Sequence, residues 1–174
     1  LMEAFIGCGG AARASGMNFK ETATALGILA NNGIKGSEAG TALNSMLVRI
    51  STKDTAQKAF KELGVSVYDS SGAMRSMKDI FMDLNSAMAN MTEEQKNNYM
   101  AAIAGTNYYS QFGYLLDGVK EGIDGSASAW SALSENLDNS SGALDKMDAT
   151  VTNTLQGAMA KFQSAVSDLK ISLV

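Results

Sequence analysis

Histidine and proline are missing from this sequence of 174 residues, and cysteine occurs once. Without histidine, the chain lacks the side chain that most often serves as a general base or as a metal ligand. The lone Cys8 excludes an internal disulfide and a cage of thiolates around a metal. The absence of proline leaves helices without their strongest interruption. We therefore expect helical structure, no catalytic residue, no cofactor and no metal.

Charged residues are also scarce, and the net charge is slightly negative, with 14 Lys and Arg against 18 Asp and Glu. The basic residues are scattered, whereas a domain that binds nucleic acid usually carries a basic patch. We therefore expect no specific binding of nucleic acid. Hydrophobic residues make up 45% of the chain, which is enough for a core, and eleven of them are methionines. Methionine supplies adaptable apolar contacts rather than a pocket with a polar lining, so we expect no small-molecule substrate.

The chain begins inside the apolar stretch LMEAFIGC and ends in LKISLV. We expect both ends to continue into a longer protein. The first stretch is too short to span a bilayer and lacks a basic leader, so we expect neither a signal peptide nor a membrane helix there.

Apolar residues recur at three- and four-residue spacing along most of the chain, which predicts a series of short helices. Asn18 with Glu21, and Thr92 with Gln95, have the spacing of capping boxes that begin a helix. Gly64 follows an apolar stripe and is typical of a helix stop. These signals predict a bundle of short helices.

Three glycines lie within eight positions in NNGIKGSEAGTAL, at Gly33, Gly36 and Gly40. The first two have the outward form of the phosphate-clamping loop of a KH domain. That fold needs a three-stranded sheet and basic neighbours, and Lys35 is the one basic residue here. We interpret the stretch as an elbow between two helices, with Ser37 as the cap of the second. The four-residue spacing of the last two glycines also predicts close approach of a neighbouring backbone.

The spacing of apolar residues changes from helical to alternating in VSVYDSSGAM, with Val65 and Val67 before a group of turn residues and Met74 after it. This alternation predicts a small two-stranded β-hairpin near 65–75. A lone hairpin is marginally stable, so we expect it to lie on the helices. The first predicted domain is therefore a helical domain over 1–140 that includes this hairpin.

A long amphipathic helix is predicted over 141–174, because apolar residues from Leu144 to Leu169 recur mostly at three and four. A helix over 144–173 would be about 45 Å long at ~1.5 Å per residue. Its imperfect heptads favour self-association or continuation into a parent chain. It lacks the basic face that membrane-surface helices use, so we expect no membrane contact. The predicted fold class is mainly α: a bundle of short helices, one small β-hairpin and this long C-terminal helix.

Several side chains invite a chemical interpretation that their surroundings do not favour. Cys8 could be a nucleophile, but its apolar setting predicts a buried thiol with a raised pKa. Glu93–Glu94 and Asp79–Asp83 could be carboxylate pairs for catalysis or metal binding. First-turn acids and an acidic helix face explain both pairs.

An aromatic group near the middle of the chain could form a stacking platform for single-stranded nucleic acid. It consists of Tyr99, Tyr108, Tyr109, Phe112 and Tyr114. The acidic net charge argues against that use. We expect these rings to pack in the core or against a partner protein.

Three segments, NNGIKGSEAGTAL, AFKELGVSVYDSSGAMRSMKDIFMDL and AGTNYYS, occur in this order and at this separation. Together they closely resemble the core region of phage tail tape measure proteins, which are minor tail proteins of phages and prophages. The resemblance runs from about Met17 to Asp117 and continues more loosely towards the C-terminus. The chain departs from the family at Ala104, where members often carry an aromatic residue, and near Ser51–Thr52, where many have a proline.

The resemblance implies a non-enzymatic role in a virion tail. Tape measure proteins are long and largely helical, lie inside the tail tube and set its length. The implied partners are tail tube, tail-tip and tail assembly proteins; self-association through the C-terminal helix is predicted from its heptads, as above. The implied location is the virion tail, with the host cytoplasm during assembly. Two alternatives stay open: a membrane-active segment that assists genome delivery through the host envelope, and a wall-hydrolysing enzyme.

Overall fold

The structure, a computed structural model, describes residues 1–140, 146, 149–150 and 152–154. Leu1–Asn139 form one compact unit, and the residues from Ser140 onward are grouped apart from it. The prediction of a mainly helical protein is confirmed, because this unit contains eight α-helices. They are α1 (Met2–Ala14), α2 (Phe19–Asn31), α3 (Gly36–Thr52), α4 (Asp54–Leu63), α5 (Met77–Met88), α6 (Glu93–Ala104), α7 (Tyr109–Gly118) and α8 (Ala129–Asp138).

Side-chain caps begin two of the helices at the predicted residues. The Glu21 backbone N–H donates to the Asn18 side chain at 2.8 Å, and the Asn18 N–H donates to the Glu21 carboxylate at 3.2 Å. Thr92 and Gln95 make the same reciprocal pair at the start of α6. Gly64 ends α4 in the left-handed conformation, with φ of 68°. Each cap pairs backbone groups that a helix end leaves without partners.

The glycine-rich stretch is an elbow between α2 and α3, as predicted. Gly33 has φ of 89°, and its N–H donates to the Ala30 carbonyl at 3.1 Å. The predicted cap was wrong by two positions, because α3 begins at Gly36 with Lys35 as its N-cap residue. Gly36 has a positive φ of 57°, which glycine adopts without strain at the turn into α3.

Two helices meet backbone to backbone where α1 crosses α3. A Cβ added to Gly40 would lie 2.9 Å from the Ala4 Cα and 3.0 Å from the Ala4 carbonyl carbon. A Cβ on Gly7 would lie 3.3 Å from Gly40. The predicted close approach is therefore confirmed at Gly40. The equivalent position at Gly36 faces the Glu3 carboxylate at 3.2 Å and not a backbone.

Aromatic rings join the later helices to one another. Phe81 of α5 meets Phe112 of α7 edge-on at 5.7 Å between ring centroids, and Trp130 of α8 at 6.0 Å. All three side chains are buried. At the other end of the chain, Phe5 stacks on Phe19 at 4.3 Å and ties α1 to the start of α2. Edge-to-face and stacked pairs of this kind stabilise a core beyond the area that they bury.

The predicted two-stranded hairpin near 65–75 was wrong. The described residues contain no strand, and this segment has a single isolated antiparallel bridge between Tyr68 and Met74. The Asp69 carboxylate accepts the backbone N–H groups of Ser71 and Ala73, so the segment is organised around this turn. Val65 and Val67 are buried. The alternation in the sequence thus reflects two apolar side chains that anchor a turn, not a pair of strands.

The predicted long helix over 141–174 falls mostly outside the described residues. Those that are described there, at 146, 149–150 and 152–154, are helical. The Thr154 hydroxyl donates to the Thr150 carbonyl at 2.8 Å. The long C-terminal helix and its boundary at residue 140 stay predictions.

We expect Gly40→Ala to lower the free energy of unfolding by roughly 1–3 kcal/mol, because the added methyl group would push α1 away from α3. Urea unfolding monitored by circular dichroism measures the change. Gly10→Ala is the matched control, because a Cβ on Gly10 of α1 meets nothing within 4 Å. That variant should gain up to about 1 kcal/mol from the higher helix propensity of alanine. Equal effects of the two substitutions would contradict the proposed backbone contact.

Candidate functional site

Cys8 is buried in α1 among apolar side chains. Burial raises the pKa of its thiol to about 11. A thiol that stays protonated at neutral pH is a poor nucleophile and a poor metal ligand. The prediction of a buried thiol with a raised pKa is confirmed.

The two acidic pairs lie on helix surfaces. Glu93–Glu94 occupy the first turn of α6, and the Glu93 carboxylate lies 2.9 Å from the Lys96 ammonium. Asp79 is exposed in the first turn of α5, and Asp83 lies 2.8 Å from the Arg75 guanidinium. No group of three or more His, Cys, Asp and Glu in the described part of the chain is placed to hold a metal. This arrangement agrees with the structural interpretation of both pairs.

The five aromatic residues do not form one platform. Phe112 is buried in the core. Tyr108 and Tyr114 are half-buried, and Tyr109 is exposed at the start of α7. Tyr99 lies on a different helix, α6. The structure therefore divides the group into one core ring and four rings that are half-buried or exposed.

Tyr99 lines a solvent-open groove between α4 and α6, which we call the α4–α6 groove. The groove has a volume of about 450 Å³. Its polar lining comes from Thr55, Lys58, Glu62, Gln95, Asn98 and Tyr99. The Tyr99 hydroxyl donates to one Glu62 oxygen at 3.4 Å, and the other lies 3.8 Å from the Lys58 ammonium. Amide, hydroxyl and charged groups in an open groove suit contact with a polar protein segment.

Arg49 of α3 forms hydrogen bonds with both helices that line the α4–α6 groove. Its Nε donates to the Ile103 carbonyl at 3.2 Å, and its Nη2 donates to the Ala102 carbonyl at 3.2 Å. Nη2 also donates to the Thr55 hydroxyl of α4 at 3.4 Å. Carbonyls at a helix C-terminus lack partners within the helix, and a cation there is favoured by the helix dipole.

Sequence reasoning missed Arg49. The only signal was its position inside the apolar stretch LVRIS, where a charged side chain needs a partner. A Cβ on Gly105, just after α6, would lie 3.1 Å from the Arg49 Nε. Glycine at that position therefore makes room for the guanidinium as well as ending the helix.

Membrane crossing is not supported by any helix that the structure describes, since none is both long and apolar enough. The longest of them, α3, has 17 residues. A helix needs about 20 predominantly apolar residues to span a bilayer.

A family model described as phage-related minor tail protein matches residues 1–105, which is more than half of the chain. The chain belongs to the phage-related minor tail protein family. The matched residues include α1 to α6, and with them the elbow, the α4–α6 groove and Arg49. No solved structure matches the chain.

Two curated relatives of this minor tail protein segment are described as tape measure proteins. The tape measure protein of Pneumococcus phage Dp-1 is 34% identical over 161 residues, which are 92% of this chain and 13% of that protein. The probable tape measure protein of Escherichia phage P2 is 29% identical over 158 residues, which are 88% of this chain and 18% of that protein. The chain thus spans less than a fifth of the length of either relative. The predicted resemblance to tape measure proteins is confirmed.

We expect the Cys8 thiol of the folded chain to react with a disulfide reagent at pH 8 roughly 100-fold more slowly than an exposed thiol, because its raised pKa leaves little thiolate. Absorbance at 412 nm with Ellman's reagent measures the rate. Unfolding in guanidinium chloride should release one fast thiol per chain. Gly10→Cys in the same helix is the exposed control and should react quickly. A native Cys8 that reacts at the control rate would contradict its burial.

We expect Arg49→Met to lower the free energy of unfolding by about 1–3 kcal/mol, because it removes the donors that serve the last carbonyls of α6. Arg49→Lys should lose less, since it keeps the charge but not the planar fork of donors. Thermal unfolding measures both changes. The control is Lys58→Met, which removes a side chain that is 78% exposed and should change stability by less than about 1 kcal/mol. Similar losses in Arg49→Met and the control would argue against the capping role.

Proposed function

We propose that this chain is a structural segment of a phage or prophage tail tape measure protein, acting in tail assembly and tail-length determination without enzymatic activity. The observation that carries the proposal is the 34% identity to a tape measure protein over 92% of the chain. The surface arrangement of the acidic pairs and the burial of Cys8 agree with a non-enzymatic role.

The compact shape of the unit limits how it can contribute to tail length. As one straight helix, the 139 residues of Leu1–Asn139 would extend about 210 Å at ~1.5 Å per residue. A compact domain of that size has a radius of gyration of about 14 Å, and so spans about 40 Å. We infer that this segment is a folded module at a defined place in the tail, and that the extended parts of the parent protein measure length.

We further infer that the module contacts tail tube, tail-tip or tail assembly proteins. The α4–α6 groove is the surface that we assign to such a partner, because it is open to solvent and lined by polar side chains of both helices. Residues 141–174 would continue as a helix into the parent chain and take part in self-association. The expected location is the virion tail, inside the tube, with the host cytoplasm during assembly.

The proposal can be tested in a phage that encodes this chain, by deleting residues 1–139 in frame. We expect far fewer complete tails, because a module at a defined place is lost. The tails that do form should be shorter by about 40 Å or less, because a compact domain contributes little length. Electron microscopy of purified particles measures both yield and length.

The matched control is an in-frame deletion of equal length from a part of the same protein with uninterrupted helical periodicity. That deletion should shorten tails by about 210 Å, because an extended helix rises ~1.5 Å per residue. If the deletion of residues 1–139 also leaves the yield unchanged and shortens tails by that amount, the segment is part of the ruler and the folded-module proposal is wrong.

A further inference from the structure

The last helix of the compact unit, α8, is packed less deeply than the seven before it. Trp130 is the one residue of α8 that is buried, whereas each of the helices α1 to α7 buries two or more. The Trp130 ring meets Phe81 of α5, and the Lys78 ammonium of α5 donates to the Ser131 hydroxyl at 3.3 Å. A helix with little apolar burial has a low free energy of local opening.

The main support of α8 is α2. The half-buried Leu133 lies against Gly27 of α2, where an added Cβ would be 3.3 Å from the leucine Cδ1. Near the end of α8, the Asp138 carboxylate pairs with the Lys20 ammonium at 2.5 Å, and both side chains are partly exposed. An ion pair that is open to solvent adds little stability, because water screens it. The second half of α8 is therefore held weakly.

The segment that joins α7 to α8 leaves α8 free to move without other losses. Residues 120–127 are all exposed. The Gly125 N–H donates to the Gly122 carbonyl at 2.9 Å, and the Gly122 N–H donates to the Ser126 carbonyl at 3.0 Å. The Ser126 N–H also donates to the Asp124 carboxylate at 3.0 Å. These bonds lie within the segment, so detachment of α8 need not break them.

We propose that α8 is a detachable cover, which leaves α2 and α5 as one unit while α1 to α7 stay folded. A helix of ten residues is shorter than the ~12–15 residues that an isolated helix needs, so α8 unwinds when it detaches. Detachment uncovers the Phe81 ring and the face of α2 around Gly27. The closed chain hides this apolar surface, and the open chain presents it. The device goes beyond the proposed tail role and does not depend on it.

Hydrogen exchange of the full chain, followed by mass spectrometry, tests the proposal. We expect the hydrogen-bonded amides of α8 to exchange together, roughly 100-fold or more faster than those of α3. Their exchange should become faster in urea below the unfolding midpoint, because detachment exposes surface. Amides that exchange one by one and without response to urea would indicate fraying of a helix end, and would overturn the proposal. Equal exchange rates in α8 and α3 would overturn it as well.

Gly40→Ala separates detachment of α8 from unfolding of the whole unit. The contact between α1 and α3 persists when α8 detaches, so this variant should leave exchange in α8 unchanged. Exchange in α3 should become about fivefold or more faster, because it requires unfolding of the unit. Arg49→Met serves the same purpose if Gly40→Ala fails to fold. If either variant accelerates exchange in α8 and α3 by the same factor, α8 opens only with the whole unit and the proposal is wrong.

Leu133→Ala should accelerate exchange in α8 by about tenfold, because it removes the contact with α2. The matched control is Asn136→Ser, which changes an exposed residue of the same helix to one of similar helix propensity. The control should leave exchange in α8 unchanged. Equal effects of the two variants would argue against the packing of α8 on α2 as its support.

A covalent bridge between α2 and α8 gives a second readout. Lys20→Cys and Asp138→Cys in one chain, joined by a short bismaleimide, should slow exchange in α8 to the rate of α3. The buried Cys8 does not compete for the reagent. Fast exchange that persists in the bridged chain would show that α8 does not detach as a unit, and would overturn the proposal.

Discussion

The contact between α1 and α3 at Gly40 is the constraint on which the rest of the unit depends. Because Gly40 has no side chain, the Ala4 backbone lies where a Cβ would be, and the two helices pack more closely than larger residues would permit. The elbow before α3 and the stacked rings of Phe5 and Phe19 then place α2 beside this pair. A close backbone contact tolerates little variation in distance, so it sets the position of α3 for the elements that follow.

Side-chain hydrogen bonds to helix ends fix how the later helices pack against one another. Arg49 reaches from α3 to the last carbonyls of α6 and to Thr55 of α4. Asn85 of α5 does the same for α7, by donating to the Leu116 carbonyl at 2.7 Å. Alanine and leucine are the commonest buried side chains, and four methionines among them can adapt to several arrangements. Directional bonds to otherwise unpaired carbonyls therefore specify which arrangement is adopted.

These features describe a compact unit, Leu1–Asn139, held together by helix packing and hydrogen bonds at helix ends. Its two acidic pairs lie on helix surfaces, its one thiol is buried, and the α4–α6 groove is open to solvent. The relatives that it resembles are five or more times longer than the matched segment. A compact module of this kind suits a fixed position within a much longer protein. Length along the protein would come from extended helices, because a helix covers more distance per residue than a compact domain does.

Local sequence determined the features that depend on neighbours along the chain. The capping boxes, the glycine elbow and the helical class follow from hydrogen bonds and spacings within a few residues, so they could be predicted, as could the family. Tertiary structure alone decided the rest. It reduced the expected hairpin to one bridge, divided the aromatic residues between core and surface, and gave Arg49 partners more than 50 positions away. Contacts at such separation depend on how helices pack, and residue spacing does not encode that geometry.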